Sequence, residues 1–298
     1  MVIEIDPTVD FACKMLLGNQ DFPELTIHFL NAVLRLESPI VAVEIVNPFI
    51  PQEFDTDKLS ILDILAIDDV DRRLNIEIQR TNPGWLAKRL TYYAAAQLVD
   101  QISEGDSYRK LQPSIGIGIL NANAFPPDVP YHNEFRLRTR SGLELTNCLE
   151  IHLLELPKYS DRDDNQQMTN PLDQWMYFFR FAKGSTRDEL LKRLADPIFE
   201  IAIGILDMIS RTPQQRLHYN ARLKWELDEN SRIQAALEEG AALGAARGKI
   251  EGEIRFIRTL EELLGMESSF DSQLEDNTLE ELQSYSAELQ SKIKSRTK

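Results

Sequence analysis

Apolar residues recur along the chain with two different periods, and the switch between them divides it. Asp6-Pro7-Thr8 reads as a helix start. Phe11, Met15 and Leu16 then share one helical face until Gly18-Asn19 stops it. A second helix fits Pro23–Leu36, with Leu25, Phe29, Leu30, Val33 and Leu34 at helical spacing. From Ile40 the period falls to two. Strands are expected over Ile40–Ile50, Leu59–Ile67 and Arg73–Arg80, and the last two have hairpin spacing across Asp68-Asp69-Val70-Asp71-Arg72. Trp85–Ile102 is a strong helix, with Leu86, Leu90, Tyr93, Ala94, Gln97 and Leu98 on one face. Strands follow over Ser114–Asn121, Tyr131–Thr139 and Cys148–Leu156. Residues 1–160 thus read as an α/β core, a mixed sheet flanked by helices.

Beyond Asp161 only the helical period remains. Residues 161–232 read as a helical extension, with helices over Trp175–Phe181, Thr186–Arg193, Pro197–Ser210 and Pro213–Leu227. Residues 233–298 read as a long exposed helix followed by a shorter acidic one, Thr278–Ile293. Gly240, Gly244, Gly248 and Gly252 recur every four residues in this tail. Glycine weakens a helix interior by roughly 1 kcal/mol. The stretch is therefore read as a weakly helical stalk, with a close-packed helix contact in a homo-oligomer as the alternative.

Composition narrows the class. The chain has 298 residues, of which 43% are hydrophobic and 27% charged, as in globular proteins. No apolar run is long enough to span a bilayer, and the N-terminus MVIEIDPTVDF lacks the pattern of a secretory signal. Cys13 and Cys148 are the only cysteines, too few for a disulfide framework or a thiolate metal site. A cytoplasmic protein is expected. The formal charge of −15 argues against a protein that coats nucleic acid. It is unevenly spread, however. Residues 101–250 are nearly balanced, with 21 acidic and 19 basic side chains, and an acidic total also suits carboxylates gathered for a cation.

The chemistry concentrates on the predicted hairpin. Asp63 stands inside an otherwise apolar strand, where an unpaired carboxylate costs several kcal/mol. Fourteen positions later comes Glu77 (77 − 63 = 14) and then Gln79. Glu77 and Gln79 share one face of their strand, opposite Ile76 and Ile78. If the two strands pair, Asp63 and Glu77 meet there. They would form either a pair sharing one proton or a site for a hard divalent cation, with the backbone carbonyl of Ile78 as a further ligand. Arg89 and Tyr93 lie one turn apart on the next helix, beside Lys88. They read either as a phosphate clamp or as an arginine paired with a surface carboxylate beside a core tyrosine. Arg80 should point to the opposite face from Gln79. Asp10 and Lys14 read first as an i,i+4 ion pair. Glu44 has no evident partner, and Glu155 and Lys158 read as a strand-end cap. The four histidines show no zinc-ligand spacing, and SIGIGIL (114–120) lacks the lysine and helix of a phosphate loop.

The D-x₁₃-E-x-Q arrangement resembles the PD-(D/E)xK nuclease superfamily. DPTVDFACKMLLG (6–18), KLSILDILAID (58–68), RLNIEIQ (73–79), KRLTYYAA (88–95) and LEIHLLELPK (149–158) resemble, in order, blocks of its recombination-promoting nuclease, or transposase-like, branch. A looser likeness extends through WMYFFRFAK (175–183). The resemblance implies a restriction-endonuclease-like core with an all-helical C-terminal region. It also implies a Mg²⁺-dependent DNA endonuclease, with Mn²⁺ as a substitute, and a DNA partner. Asp63 and Glu77 would hold the metal, with the Ile78 carbonyl as a further ligand and Asp10 helping to hold it through water. Gln79 would stand where the superfamily has lysine, and Lys14, Lys88, Arg89 and Tyr93 would contact DNA. Glutamine orients water but carries no charge, so a weakly catalytic or inactive binding protein of the same fold is the first alternative. A helical interaction protein with structural Asp63 and Glu77 is the second.

Overall fold

The computed structural model describes residues 2–46, 64–82, 84–160, 167–266, 274 and 276–296. Among them, two short helices open the chain, α1 (Asp10–Leu17) and α2 (Pro23–Leu34). Asp6 does not cap α1. Its carboxylate accepts the backbone N–H of Thr8 at 2.9 Å and the Thr8 hydroxyl at 2.6 Å, closing a turn ahead of the helix. Six strands follow: β1 (Val43–Ile45), β2 (Ile64–Asp68), β3 (Arg73–Gln79), β4 (Ser114–Leu120), β5 (His132–Arg138) and β6 (Glu144–Glu155), with helix α3 (Leu86–Val99) between β3 and β4.

They form one mixed sheet in the order β1-β2-β3-β4-β6-β5. β1, β2 and β3 pair antiparallel, as the predicted hairpin requires, with Ile64 opposite Ile76. β3, β4 and β6 run parallel, and β5 closes the far edge antiparallel to β6. The β3–α3–β4 crossover lays α3 on one face of the sheet, where Leu86, Leu90 and Ala94 pack against Leu120, Ile151 and Leu153. Gly118 makes this close approach possible: a Cβ there would lie 2.8 Å from Leu90 Cδ1 and Leu153 Cδ2.

The opposite face carries the larger core. Leu74, Ile76, Ile78, Ile115, Ile117 and Ile119 meet α1 and α2 there, together with α4 (Pro171–Phe181) and α6 (Ile198–Arg211). Trp175, Phe29, Phe178 and Phe199 form its buried aromatic centre. Local signals fix the helix starts. Asn170 caps α4 ahead of Pro171, and Thr186 with Glu189 forms a capping box on α5 (Arg187–Arg193).

Helix α7 (Pro213–Leu264) runs unbroken through residues 228–232, where two helices are expected to part, and the Arg247–Glu251 pair spans Gly248 within it. The last helix is α8 (Leu279–Arg296). The chain divides into two compact units, Met1–Glu226 and Leu227–Lys298. In the second, Ile254, Ile257, Leu260 and Leu264 pack with Leu274, Leu282 and Leu289, and the Tyr285 hydroxyl donates to Glu261 at 3.0 Å. No helix among the described residues is long and apolar enough to cross a membrane.

Candidate active site

Glu77 lies in the middle of β3 and is fully buried. Strand alternation turns it, with Asn75 and Gln79, toward α3, while Ile76 and Ile78 enter the larger core. Ile78, whose backbone carbonyl is a candidate ligand, thus stands between the two polar side chains. A carboxylate in this position requires compensation. Arg89, on the second turn of α3, forms an ion pair with Glu77 Oε1. Gln79 Nε2 donates to the same oxygen at 3.1 Å. Among the described residues Oε2 has no hydrogen-bond partner. The Arg89 guanidinium also stacks over the Trp85 ring, 4.8 Å from its centroid. Tyr93, one turn further along, touches Tyr92 edge to face at 5.7 Å, and Lys88 is exposed.

The arrangement brings Glu77, Gln79 and Arg89 together. Arg89 pairs with a buried carboxylate rather than the surface one expected of a structural arginine. Asp63 lies outside the described residues, as do all residues from 47 to 63.

Asp10 and Lys14 belong to a different place. α1 packs on the face of the sheet opposite Glu77, and there Lys14 Nζ is 4.0 Å from Asp10. Arg222, from the start of α7, approaches Asp10 at 3.2 Å, and Glu226 accepts the Asp10 backbone N–H at 3.2 Å. Arg80 points to this side, as expected, and lies 3.6 Å from both Asp6 and Glu226. Burial pushes the carboxyls of Asp10 and Glu226 above their ordinary range, against the pull of Arg222. The group ties the N-terminus, the end of β3 and α7 together.

Glu44 is exposed. Glu155 accepts the backbone N–H groups of Ala124 and Phe125 and pairs with Lys158 at 3.0 Å, the strand-end role expected of it.

Linear spacing missed one polar group. The β5–β6 register sets Glu134 opposite His152 and Arg136 opposite Glu150. Glu134, Glu150 and His152 therefore offer three ligand atoms within 4.8 Å of one another. His152 Nε2 meets Glu150 at 2.6 Å and its Nδ1 meets His132 at 2.9 Å. Burial and the neighbouring His152 lower the His132 pKa to about 4. Burial opposes ionisation of Glu150, but His152 and Arg136 outweigh it and keep its pKa low. Arg136 lies against Glu134 and 3.0 Å from Glu150, so these carboxylates already face a cation. Glu134 and Arg136, and likewise Glu150 and His152, are neighbours along one strand, but the two pairs meet only through strand register, which the sequence does not state.

A mixed sheet with an antiparallel β1–β2–β3 meander, a crossover helix and a carboxylate-x-amide pair on β3 is a restriction-endonuclease-like PD-(D/E)XK fold. Residues 7–236 match the family model described as PD-(D/E)XK nuclease family transposase, and the chain belongs to that family. No curated protein and no solved structure matches it.

Proposed function

We propose that the chain is a divalent-metal-dependent DNA endonuclease, with its hydrolytic site on β3. Membership of a nuclease family makes a phosphodiester the expected substrate. The observation that carries the reading is Glu77: a buried carboxylate with one oxygen held by Arg89 and Gln79 and the other without a hydrogen-bond partner among the described residues. An unsatisfied buried oxygen is costly in a finished core but suits a metal ligand. The β2–β3 register, carried one residue beyond Ile64 and Ile76, would pair position 63 with Glu77. Asp63 and Glu77 would then hold Mg²⁺ or Mn²⁺, with the Ile78 carbonyl. When bound, such an ion stabilises charge on the phosphate and lowers the pKa of a coordinated water.

The protein's own side chains do the rest. Gln79 hydrogen-bonds and orients the attacking water. Its oxygen bonds to phosphorus as one P–O ester bond breaks, and a proton ends on the leaving oxygen. Arg89 turns from Glu77 to a phosphate oxygen, supplying the positive charge that Gln79 lacks. Lys88 and Tyr93 hold the strand. Lys14 and Asp10 are left out of the machinery, because they serve the ionic group on the opposite face.

One observation favours a second reading. Arg89 already neutralises Glu77, and no lysine stands at 79, which would suit a nucleic-acid-binding protein that cuts weakly or not at all. Supercoiled plasmid incubated with the full chain in Mg²⁺, Mn²⁺, Ca²⁺ or EDTA separates the two. Nicking with Mg²⁺ or Mn²⁺ and none in EDTA supports the nuclease. DNA retention without nicking under every condition supports the binding protein.

A further inference from the structure

We propose that the outward face of α3 is a stacking platform for unpaired DNA bases, so that the site takes single-stranded or locally opened DNA in preference to closed duplex. The proposal deepens the nuclease reading and rests on it for the identity of the polymer.

Trp85, Tyr92 and Val99 follow one another at seven-residue intervals, which places them in one line along α3. They are 47%, 69% and 71% exposed, although Leu86, Leu90 and Ala94 already seat the helix on the sheet. These two aromatic rings, two turns apart and about 10 Å along the axis, touch only Arg89 and Tyr93 in the ring contacts seen among the described residues and keep much of their surface open. Lys88 and Arg89 lie between them on the same face. No acidic residue occurs between Glu77 and Asp100, in a chain where acids outnumber bases by 48 to 33. This face is therefore apolar and cationic in a strongly acidic protein, the combination that binds a phosphate backbone while bases stack on aromatic rings.

The platform also adjoins the candidate site. Trp85 stacks on the Arg89 guanidinium, and Arg89 pairs with Glu77. A strand whose bases lie on Trp85 and Tyr92 brings its backbone past Arg89. Bases within a closed duplex present no free ring face to these side chains, so duplex would gain only the contact with Lys88 and Arg89.

Fluorescence anisotropy with a labelled single-stranded oligonucleotide and its duplex, in EDTA so that nothing is cut, tests the proposal on the full chain. The expected result is single-strand binding at least tenfold tighter than duplex binding. Tyr92→Ala and Trp85→Ala should each weaken single-strand binding about fivefold or more, the effect of one stacked base, with duplex binding and melting temperature unchanged. Quenching of tryptophan emission by the single strand should disappear in Trp85→Phe, while Trp175 and Trp225 remain. Equal affinity for both DNA forms, or unchanged single-strand affinity in both aromatic variants, overturns the proposal. So does a fall in molar mass in these variants without a change in DNA binding, which would make the face a contact between protein copies. The nuclease reading fails separately, by loss of metal-dependent nicking, which the EDTA measurement does not involve.

Discussion

Replacing Arg89 with alanine leaves the Glu77 carboxylate buried without its counter-charge. Glu77 is fully enclosed, and the Arg89 side chain is 23% exposed. Removing one partner of a buried ion pair costs about 3–5 kcal/mol. Arg89 reaches water, and Gln79 still donates to Glu77, so the low end, about 3 kcal/mol, is the appropriate estimate. For a unit of this size that corresponds to a fall of about 6–12 °C in melting temperature. Glu77→Ala/Arg89→Ala should recover part of the loss, because no orphan charge remains. If Glu77 is also a metal ligand, millimolar Mg²⁺ should raise the melting temperature of Arg89→Ala more than that of the parent chain, and leave the double variant unmoved. The measurement is thermal unfolding followed by circular dichroism at neutral pH, with EDTA or Mg²⁺. An Arg89→Ala chain that melts with the parent in EDTA would refute the buried-pair reasoning.

Further expectations concern other parts of the molecule. Gly118→Ala should destabilise by about 1–2 kcal/mol in urea unfolding, because the added methyl meets Leu90 and Leu153 at 2.8 Å. The His132 pKa is lowered to about 4 in the folded chain, so the unfolded state binds more protons as pH falls. Stability should therefore decline between about pH 6.5 and pH 4, and His132→Gln should flatten that part of the curve. Nothing stands within 4 Å of a Cβ at Gly240, Gly244, Gly248 or Gly252. Alanine at all four should raise helix content and leave the molar mass by light scattering unchanged, whereas a fall in mass would identify a homo-oligomer contact along this stripe.

Much of this was legible because the pattern is strongly periodic. The shift from period two to period 3.6 around Trp85 marks α3, and the alternation through RLNIEIQ places Glu77 and Gln79 on one face. Arg89 was only half legible. Its spacing from Tyr93 is written in the sequence, but its partner is decided by the crossover that sets α3 over β3. The Glu134, Arg136, Glu150 and His152 group was not legible as a whole, since its β5 pair and its β6 pair meet only through the β5–β6 register. Helix α7 read as two helices because residues 228–232, DENSR, hold no apolar side chain to carry the helical period, yet the backbone stays helical through them. Arg222 and Glu226 show the same limit: their partners Asp6, Asp10 and Arg80 stand more than a hundred residues away.

On this reading hydrolysis depends on the carboxylates of Asp63 and Glu77. That dependence is tested most directly by metal-dependent nicking of supercoiled plasmid by the parent chain, Asp63→Ala, Glu77→Ala and Asp10→Asn, each checked for folding. Nicking is expected from the parent and Asp10→Asn, with a loss of about a hundredfold or more in the other two. Nicking that survives both Asp63→Ala and Glu77→Ala would contradict it.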